Sequence, residues 1–364
     1  MSTAPVSVQN HRILIAGGHS RACGGLEAFI SRARDCLHID SHVFTDTPGY
    51  EGVGVRDWLR AMGRFVRQAR SHDVIWIHYG SAFDLAYLVL AKVLGKTAVV
   101  TPHLGTTWRA MRSTVLRTLT NRILCLADAI FTLHETQPQV LQFPASVTRR
   151  CTAMGTFLPK SLLEHESAAH APGMPLKLVH VARLSVEKGS FAFLEVCETL
   201  RRRGIAIEGT IIGQASTEVR AQLTAIVEQR KLPVVLIDAL PQDAFLDLFR
   251  RQDVLVNLSL QDAYPLTVIE ALLCGVAPVC SALPGTRELA ADAPVISLVE
   301  GQDAEAAADR IASIDWSALP RGGAVMRQKF HWAGLERRYR ERFAALSAHG
   351  SSVSTHPSVQ ASVS

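Results

Sequence analysis

The sequence has no long uninterrupted apolar run, few aromatic residues and few cysteines. Its two most apolar stretches, 84–100 and 123–134, are both interrupted by aspartate, and the first also contains lysine. A membrane-spanning helix needs about 18 to 20 consecutive apolar residues. The sequence therefore predicts that this is not an integral membrane protein.

Aromatic residues make up only 6% of the chain, and no stretch matches a nucleic-acid-binding motif. The seven cysteines are odd in number and form no Cys-x-x-Cys pair, which favours reduced core residues over disulfides. The first ten residues lack the basic-then-apolar order of a secretory signal. We therefore expect a cytoplasmic protein with no nucleic-acid partner.

The sequence does contain enough apolar side chain for two ordinary cores. Its 364 residues are 48% hydrophobic and 20% charged, which is typical of a globular chain with two domains. The net charge of +5 is uneven, since residues 1–168 carry +6 and the remainder −1. A basic first half favours an anionic partner such as a nucleic acid, a lipid surface or a phosphorylated small molecule.

Short apolar runs alternate with helical patterns along most of the chain, which predicts an α/β fold with parallel sheets. A polar stretch at 161–175 separates two such series, so two Rossmann-like, doubly wound domains are expected to face each other across a cleft. The predicted strands are 12–16, 41–45, 73–78, 97–101 and 129–133, then 177–182, 207–212, 234–237, 253–257, 276–280 and 294–298.

Two turns carry candidate anion-binding residues. Gly24 and Gly25 precede a predicted helix, where a ligand can approach the backbone amides. A tight turn without a ligand is the alternative interpretation. Arg183 and Lys188 flank the turn after the first strand of the second domain, and two converging cations suit a diphosphate. A solvated surface is the alternative there.

A downstream pattern is more specific. Asp262 precedes Glu270 by eight positions, and Gly275 follows in Gly-Val-Ala-Pro. This segment resembles the donor-site signature of retaining glycosyltransferases of the GT-B fold, in particular the GT4 family. That signature has two glutamates separated by seven residues, then a Gly-x-Pro turn. Asp262 replaces the first glutamate, and the proline comes one position late.

Other segments extend this resemblance over roughly 12–345. The turn at 183–189 resembles the family's Arg-Leu-x-x-x-Lys-Gly phosphate-binding turn, and Gly213 stands at a strand end where the nucleotide is often contacted. Gly24 and Gly25 resemble the first glycine loop of the family. His103, followed by Leu-Gly, resembles the His-Gly of its donor-sugar loop.

The resemblance implies a role for each of these residues. Glu270 would accept hydrogen bonds from the ribose hydroxyls. The amides of Leu266 and Thr267 would hold the pyrophosphate together with Arg183 and Lys188. The two cations would also stabilise the charge that builds on the departing diphosphate, which makes them catalytic as well as binding residues.

Asp262 would face the transferred sugar with a side chain one methylene shorter than glutamate, and an ordinary turn residue is the alternative. His103 would contact a donor-sugar hydroxyl or a phosphate, although a structural histidine is the alternative. Glu135 is a weaker candidate. The chain has no Asp-x-Asp, so no metal and no cofactor are expected beyond the co-substrate, a UDP- or GDP-sugar.

The resemblance further implies an acceptor-binding domain at 1–165 and a donor-binding domain at 175–325. A helix at 326–348 would cross back to the first domain, and a disordered tail would occupy 349–364. Two arginine-rich helical segments in the first domain, 56–70 and 108–122, favour a peripheral contact with an anionic membrane on its cytoplasmic face. A solvated helix face is the alternative.

The implied function is transfer of a hexose-type sugar from a nucleotide-diphosphate sugar to a glycan or lipid-linked acceptor, in bacterial cell-surface polysaccharide biosynthesis. Three alternatives stay open. A sugar-nucleotide epimerase of GT-B type would need no acceptor. A noncatalytic sugar-nucleotide-binding protein would fit the shortened acid at Asp262, and a nucleic-acid-binding protein would use the same arginines.

Overall fold

The computed structural model describes residues 12–21, 24–48, 53–105, 113–164 and 172–351. The chain divides into two compact units. The first comprises the described residues of 1–104, 108–157 and 332–364, and the second those of 105–107 and 158–331. Among the described residues, no helix combines the length and the apolar character that crossing a bilayer requires.

The first unit is a six-stranded parallel sheet in the order β2-β1-β3-β4-β5-β6. Its strands are β1 Ile13–Ala16, β2 His42–Val43, β3 Val74–Tyr79, β4 Thr97–Pro102, β5 Ala129–Thr132 and β6 Cys151–Ala153. Its helices are α1 Gly25–Leu37, α2 Val55–Ala69, α3 Leu85–Val93, α4 Thr114–Leu124, α5 Gln137–Val140 and α6 Ala145–Thr148, with α15 Trp332–Ser351 from the end of the chain.

Helices cover this sheet on both faces, because a parallel sheet joined by helical crossovers buries both of its surfaces. All six residues of β3 are buried. The last helix completes one face: the Tyr339 ring centroid lies 5.3 Å from that of Trp76, and Arg340 donates a hydrogen bond to the Leu37 carbonyl.

The second unit is also a six-stranded parallel sheet, in the order β12-β11-β10-β7-β8-β9. Its strands are β7 Leu176–Val181, β8 Ile207–Ile212, β9 Val234–Ile237, β10 Val254–Asn257, β11 Ala277–Ser281 and β12 Ser297–Val299. Its helices are α7 Lys160–Glu164, α8 Ser190–Arg202, α9 Thr217–Gln229, α10 Gln242–Phe249, α11 Leu266–Cys274, α12 Pro284–Asp292, α13 Ala304–Ala312 and α14 Leu319–Phe330.

This second order is that of a Rossmann sheet, in which the first strand lies between the second and the fourth. β7 pairs with β8 on one side and with β10 on the other. The strand order reverses between β7 and β10, and such a reversal leaves a crevice at the carboxyl ends of the two strands. The loops after β7 and β10 therefore border the crevice in which a ligand site is expected.

The predicted α/β class with two parallel sheets is confirmed, and each predicted strand has a counterpart within a few residues. The strand β6 was not predicted, because it has only three residues and all three are partly buried. Of the basic segment 108–122, residues 108–112 lie outside the described residues. The tail predicted from 349 begins with three residues of α15, and 352–364 also lie outside them.

Candidate active site

The loop after β7 is held close to the end of β10 by one glycine. Gly189 adopts a left-handed conformation, with a φ of 81°, at the start of α8. A Cβ atom there would stand 2.5 Å from the carbonyl oxygen of Leu258, which follows β10. Only glycine fits both the backbone and the space, so the two loops at the strand-order reversal approach at backbone distance.

Lys188 and Asp262 meet at this approach. The Lys188 ammonium donates a hydrogen bond of 2.8 Å to the carbonyl oxygen of Gln261, and its Nζ lies 3.2 Å from Oδ2 of Asp262. The side chains are 22% and 26% exposed, so the pair is neither buried nor fully solvated. The structure thus joins the predicted phosphate-binding turn to the first predicted acid.

Arg183 lies at the start of the same loop, with an exposed side chain. It forms no hydrogen bond or ion pair with any residue the structure describes, whereas Lys188 is held on two sides. The guanidinium is consequently free to turn towards an anion. A bidentate contact with phosphate oxygens is the interaction that its planar shape favours.

The helix α11 begins four residues after Asp262. Its N-cap is Pro265, which provides no side-chain cap. The amides of Leu266 and Thr267 belong to the first turn, where an α-helix has no internal acceptors. The Thr267 hydroxyl accepts a hydrogen bond from the Asn257 amide, which ties this turn to the end of β10. The uncapped turn is suited to an anionic group.

Glu270 occupies the second turn of α11 and is 5% exposed. Its negative charge contributes to the raised pKa of Cys274, about 12, for which burial is the main cause, while Arg250 acts in the opposite direction. The helix ends at Gly275, whose φ of 79° is left-handed. The shifted proline of the motif, Pro278, lies within β11 and so does not disturb that turn.

Gly213, at the end of β8, has a φ of 153°, a backbone conformation that residues with a side chain rarely adopt. A Cβ atom at this position would stand 1.7 Å from the carbonyl oxygen of Ala182. No other residue fits without moving the backbone. Gly213 therefore lets the end of β8 lie directly against the start of the loop that carries Arg183.

The remaining predicted residues belong to the first unit. His103 follows β4, and its Nε2 lies 2.9 Å from Nδ1 of the fully buried His78 on β3. The Phe29 ring packs against His103 with a centroid distance of 4.9 Å. Burial lowers the pKa of His103 to about 3, so this imidazole is neutral near pH 7.

Gly24 is the N-cap of α1 and Gly25 its first residue. The Glu27 carboxylate already occupies this helix end: Oε1 accepts a hydrogen bond from the His19 amide, and Oε2 lies 3.0 Å from where a Gly24 Cβ would stand. Glu135, the weaker candidate, is exposed after β5.

The structure therefore brings together the second-unit residues Lys188 and Asp262 and places the start of α11 close after them, while His103, Gly24 and Gly25 belong to the first unit. Sequence reasoning missed the Gln261 carbonyl, because a backbone acceptor has no sequence signature. It also missed His78 and His180, although each is a histidine within an otherwise apolar strand.

Comparison with known proteins supports a family assignment. Residues 164–315 match the model of the family described as glycosyl transferases group 1. The chain is 31% identical over 152 residues to a putative colanic acid biosynthesis glycosyltransferase, WcaL, of Salmonella typhimurium, covering 39% of this chain and 36% of that protein. The chain thus spans well under half of that relative.

A longer match connects the chain to the GDP-mannose:cellobiosyl-diphosphopolyprenol alpha-mannosyltransferase of Xanthomonas campestris, with 26% identity over 76% of this chain and 75% of that protein. Among solved structures, Anabaena HepE in complex with UDP-glucose superposes with a TM-score of 0.74 at 14% identity, covering 92% of this chain and all of that one. A trehalose-6-phosphate protein of E. coli bound with UDP-2-fluoro glucose gives 0.66 at 15% identity, covering 92% and 99%.

The likeness to the solved structures extends over both sheets, whereas the family match covers the second unit, where Lys188, Asp262 and Glu270 lie. The chain has the GT-B fold, and its residues 164–315, less than half of its length, match the model of the glycosyl transferases group 1 family.

Proposed function

We propose that the protein is a retaining glycosyltransferase that moves a hexose from a nucleotide-diphosphate sugar to a glycan or lipid-linked acceptor in cell-surface polysaccharide biosynthesis. The observation that carries the proposal is the Lys188–Asp262 pair at the strand-order reversal of the second unit. A cation and an acid 3.2 Å apart can contact adjacent parts of one ligand, the diphosphate and the sugar.

The chemistry assigns a step to each group. When the bond between the anomeric carbon and the diphosphate oxygen breaks, the bonding electrons move to the diphosphate. Lys188 and Arg183 stabilise that growing negative charge more in the transition state than in the bound substrate. The first-turn amides of α11 hold the same diphosphate, and Glu270 holds the ribose.

The relatives support the choice of pathway and leave the base of the donor open. Two of them are described as biosynthetic glycosyltransferases for colanic acid and amylovoran, and a third uses GDP-mannose. Solved structures with the same fold hold UDP or UDP-glucose. Both UDP- and GDP-sugars therefore belong in the first binding assay.

A thermal-shift panel of UDP-, GDP- and ADP-sugars tests the proposal directly. A ligand that binds only the folded state raises the melting temperature by mass action. We expect a UDP- or GDP-sugar to raise it and the sugar without nucleotide to have no effect. The proposal fails if no sugar nucleotide changes the melting temperature and none is consumed in the presence of a polyprenyl-diphosphate glycan acceptor.

Metal independence is part of the same proposal. Lys188, Arg183 and the α11 amides supply positive charge to the diphosphate without an ion. EDTA is expected to leave both sugar-nucleotide binding and turnover unchanged. Loss of activity in EDTA that is restored by Mg²⁺ or Mn²⁺ would refute this part.

The first unit has an exposed surface that fits a lipid-linked acceptor. Helix α3 packs between α2 and α4. On these three helices, large apolar side chains face solvent: Val55, Leu59, Val89, Val93, Val115 and Leu119. Exposed arginines accompany them, among them Arg56, Arg67 and Arg122, whereas Arg60 and Arg64 pair with Asp57 and Asp46. Apolar side chains ringed by arginines suit an anionic lipid surface.

Flotation with vesicles tests this membrane contact. We expect the protein to float with phosphatidylglycerol vesicles at low salt and less with phosphatidylcholine vesicles. Leu59→Glu combined with Val115→Glu should abolish flotation. The matched control is Val235→Glu in the second unit, since the 56% exposure of Val235 is close to the 57% of Leu59, and it should not affect flotation. Flotation that both variants retain, or that the unchanged protein never shows, would contradict the contact.

A further inference from the structure

The second unit contains a buried hydrogen-bond chain behind the loop that carries Arg183 and Lys188. It starts at His180 on β7, which is fully buried and stacks on Phe193 of α8 with a centroid distance of 5.7 Å. The Nδ1 atom of His180 lies 3.0 Å from the carbonyl oxygen of Val256 on β10. A carbonyl can only accept, so Nδ1 carries the proton.

This bond determines the direction of the next. In a neutral imidazole with the proton on Nδ1, Nε2 is an acceptor. Its partner at 3.1 Å is the hydroxyl of Ser190, the first residue of α8, which is fully buried. The Ser190 hydroxyl therefore donates its single proton to His180. Burial and the nearby Lys188 charge lower the pKa of His180 to about 4, consistent with a neutral ring.

The Ser190 oxygen then accepts from the loop itself. The Ser185 amide donates to it at 3.1 Å, and the Ser185 hydroxyl in turn accepts from the Lys188 amide at 3.2 Å. Each of the four hydrogen bonds from Val256 to Lys188 has one defined direction. The loop backbone is thus held from inside the unit, while the Lys188 side chain extends to Gln261 and Asp262.

We propose that His180 and Ser190 are positioning residues of the donor site, which hold the Ser185–Lys188 turn so that the Lys188 ammonium is in place for the diphosphate. This role rests on the proposed function. The two side chains contact no substrate themselves, since both are fully buried. They act through the Ser185 amide and the Lys188 amide. Without these hydrogen bonds the turn would have to be ordered when the nucleotide binds, which would weaken the affinity of the site for the nucleotide.

A histidine at this buried position needs hydrogen-bond partners, which the packing of the core alone would not require. An apolar side chain on β7 could fill this place with no hydrogen bonds to satisfy, as Leu178 does two residues earlier on the same face of the strand. A buried polar chain is tolerated only when every member is satisfied. Here both nitrogens of His180 and the Ser190 hydroxyl have partners, and the chain ends on the loop that carries the two cations.

Four proteins test the role: the unchanged chain, Ser190→Ala, His180→Asn and Cys197→Ala. Ser190→Ala removes the hydroxyl alone. His180→Asn keeps a donor for Val256 but cannot reach Ser190. Cys197→Ala is the matched control, because Cys197 is fully buried on the same helix and contributes only to the hydrophobic core. Calorimetry measures the Kd of UDP and of GDP, and hydrogen exchange measures protection of the Ser185 and Lys188 amides.

We expect Ser190→Ala and His180→Asn to weaken nucleotide binding about tenfold, to raise the donor KM more than they lower kcat, and to lose protection at Ser185. Combining them should weaken binding no more than the stronger single change, because both break one chain. Cys197→Ala should lower the melting temperature and leave the Kd unchanged. Nucleotide binding by Ser190→Ala with the Kd of the unchanged protein would overturn the positioning role. If the unchanged protein binds neither UDP nor GDP, the proposed function fails first and the role with it.

Discussion

The Lys188 ammonium and the Asp262 carboxylate form an ion pair with Nζ and Oδ2 3.2 Å apart, although the residues are 74 positions apart in the sequence. Lys188 belongs to the turn at 183–189, and Asp262 belongs to the acidic pattern with Glu270. Their contact means that the positive charge of Lys188 is partly balanced by the acid beside it. A ligand that binds Lys188 must share it with Asp262 or replace that contact, which makes the pair a sensitive place for mutation.

Lys188→Ala is expected to lower turnover by about 10²- to 10³-fold, since a fixed charge beside the leaving group stabilises the transition state. Lys188→Arg should retain part of the turnover that Lys188→Ala loses. The control is Lys177→Ala, which removes an exposed lysine from β7 in the same unit. Steady-state rates with the donor found in the thermal-shift panel provide the measurement. Equal rates for the two alanine variants would remove Lys188 from the mechanism.

Asp262→Asn is expected to separate binding from transfer. Removing the negative charge leaves Lys188 unopposed, so the affinity for UDP or GDP without sugar should rise a few-fold while transfer falls. Asp262→Glu should change the ranking of donor sugars, because the carboxylate then reaches one methylene further. Asp238→Asn is the control, an exposed acid that pairs with Arg220. The sugar contact is contradicted if Asp262→Asn transfers as fast as the unchanged protein.

Gly189→Ala is expected to destabilise the second unit far more than Gly204→Ala does. Both glycines flank α8 and have nearly the same φ, 81° and 79°, so both substitutions carry the same left-handed strain of about 1 kcal/mol. Only at Gly189 would the added carbon meet backbone, at 2.5 Å, which adds about 1 to 3 kcal/mol. Urea unfolding gives both free energies, and equal losses would show that the contact has no role.

The free energy of unfolding is expected to fall between pH 7 and pH 5. Burial is the main cause of a lowered pKa for four histidines: His42, His78, His103 and His180. Below about pH 6.5 the unfolded chain binds protons that these folded histidines do not, which costs about 2 kcal/mol for a fully buried one such as His180. Asp84 has the opposite effect and raises the free energy of unfolding by about 1 kcal/mol between pH 7 and pH 5, because burial raises its pKa to about 6.

Urea unfolding at pH 7, 6 and 5 measures that change, and His180→Phe is the informative variant. It removes one titrating ring, so the decrease in its free energy of unfolding from pH 7 to pH 5 should be about 2 kcal/mol smaller than that of the unchanged protein. His78 faces His103 and His42, and all three lie in the first unit, so this variant leaves their contribution intact. If the free energy of unfolding had the same pH dependence in both proteins, His180 would be protonated as easily in the folded as in the unfolded chain.

His103 is expected to act as a neutral imidazole. With its pKa lowered to about 3 by burial, no ionisation of this ring should appear in the kcat/KM profile between pH 5 and 8. His103→Asn should lower kcat/KM and keep the shape of the acid limb. Disappearance of a limb near pH 6.5 in that variant would contradict a neutral His103.

The candidate site residues could be selected from the sequence because the chemistry proposed for them depends on residue type at short spacing. Arg183 and Lys188 share one turn, and Glu270 with Gly275 shares one helix, so local pattern was enough to name them as candidates. Gly24 and Gly25 show the limit of the same reasoning. The pattern matched an anion-binding turn, but the Glu27 carboxylate lies at that helix end, and its position depends on how the side chain folds back.

The sequence by itself determined the α/β class, the strands, the two series of elements and the candidate residues for a diphosphate site, because these follow from hydrophobic periodicity and from local residue chemistry. Only the tertiary structure decided that β7 lies between β8 and β10, and hence that Lys188 reaches Asp262. It alone aligned His180, Ser190 and Ser185 into one chain. Contacts between distant segments depend on strand order and on the space left between backbones, and neither is encoded in any short stretch of residues.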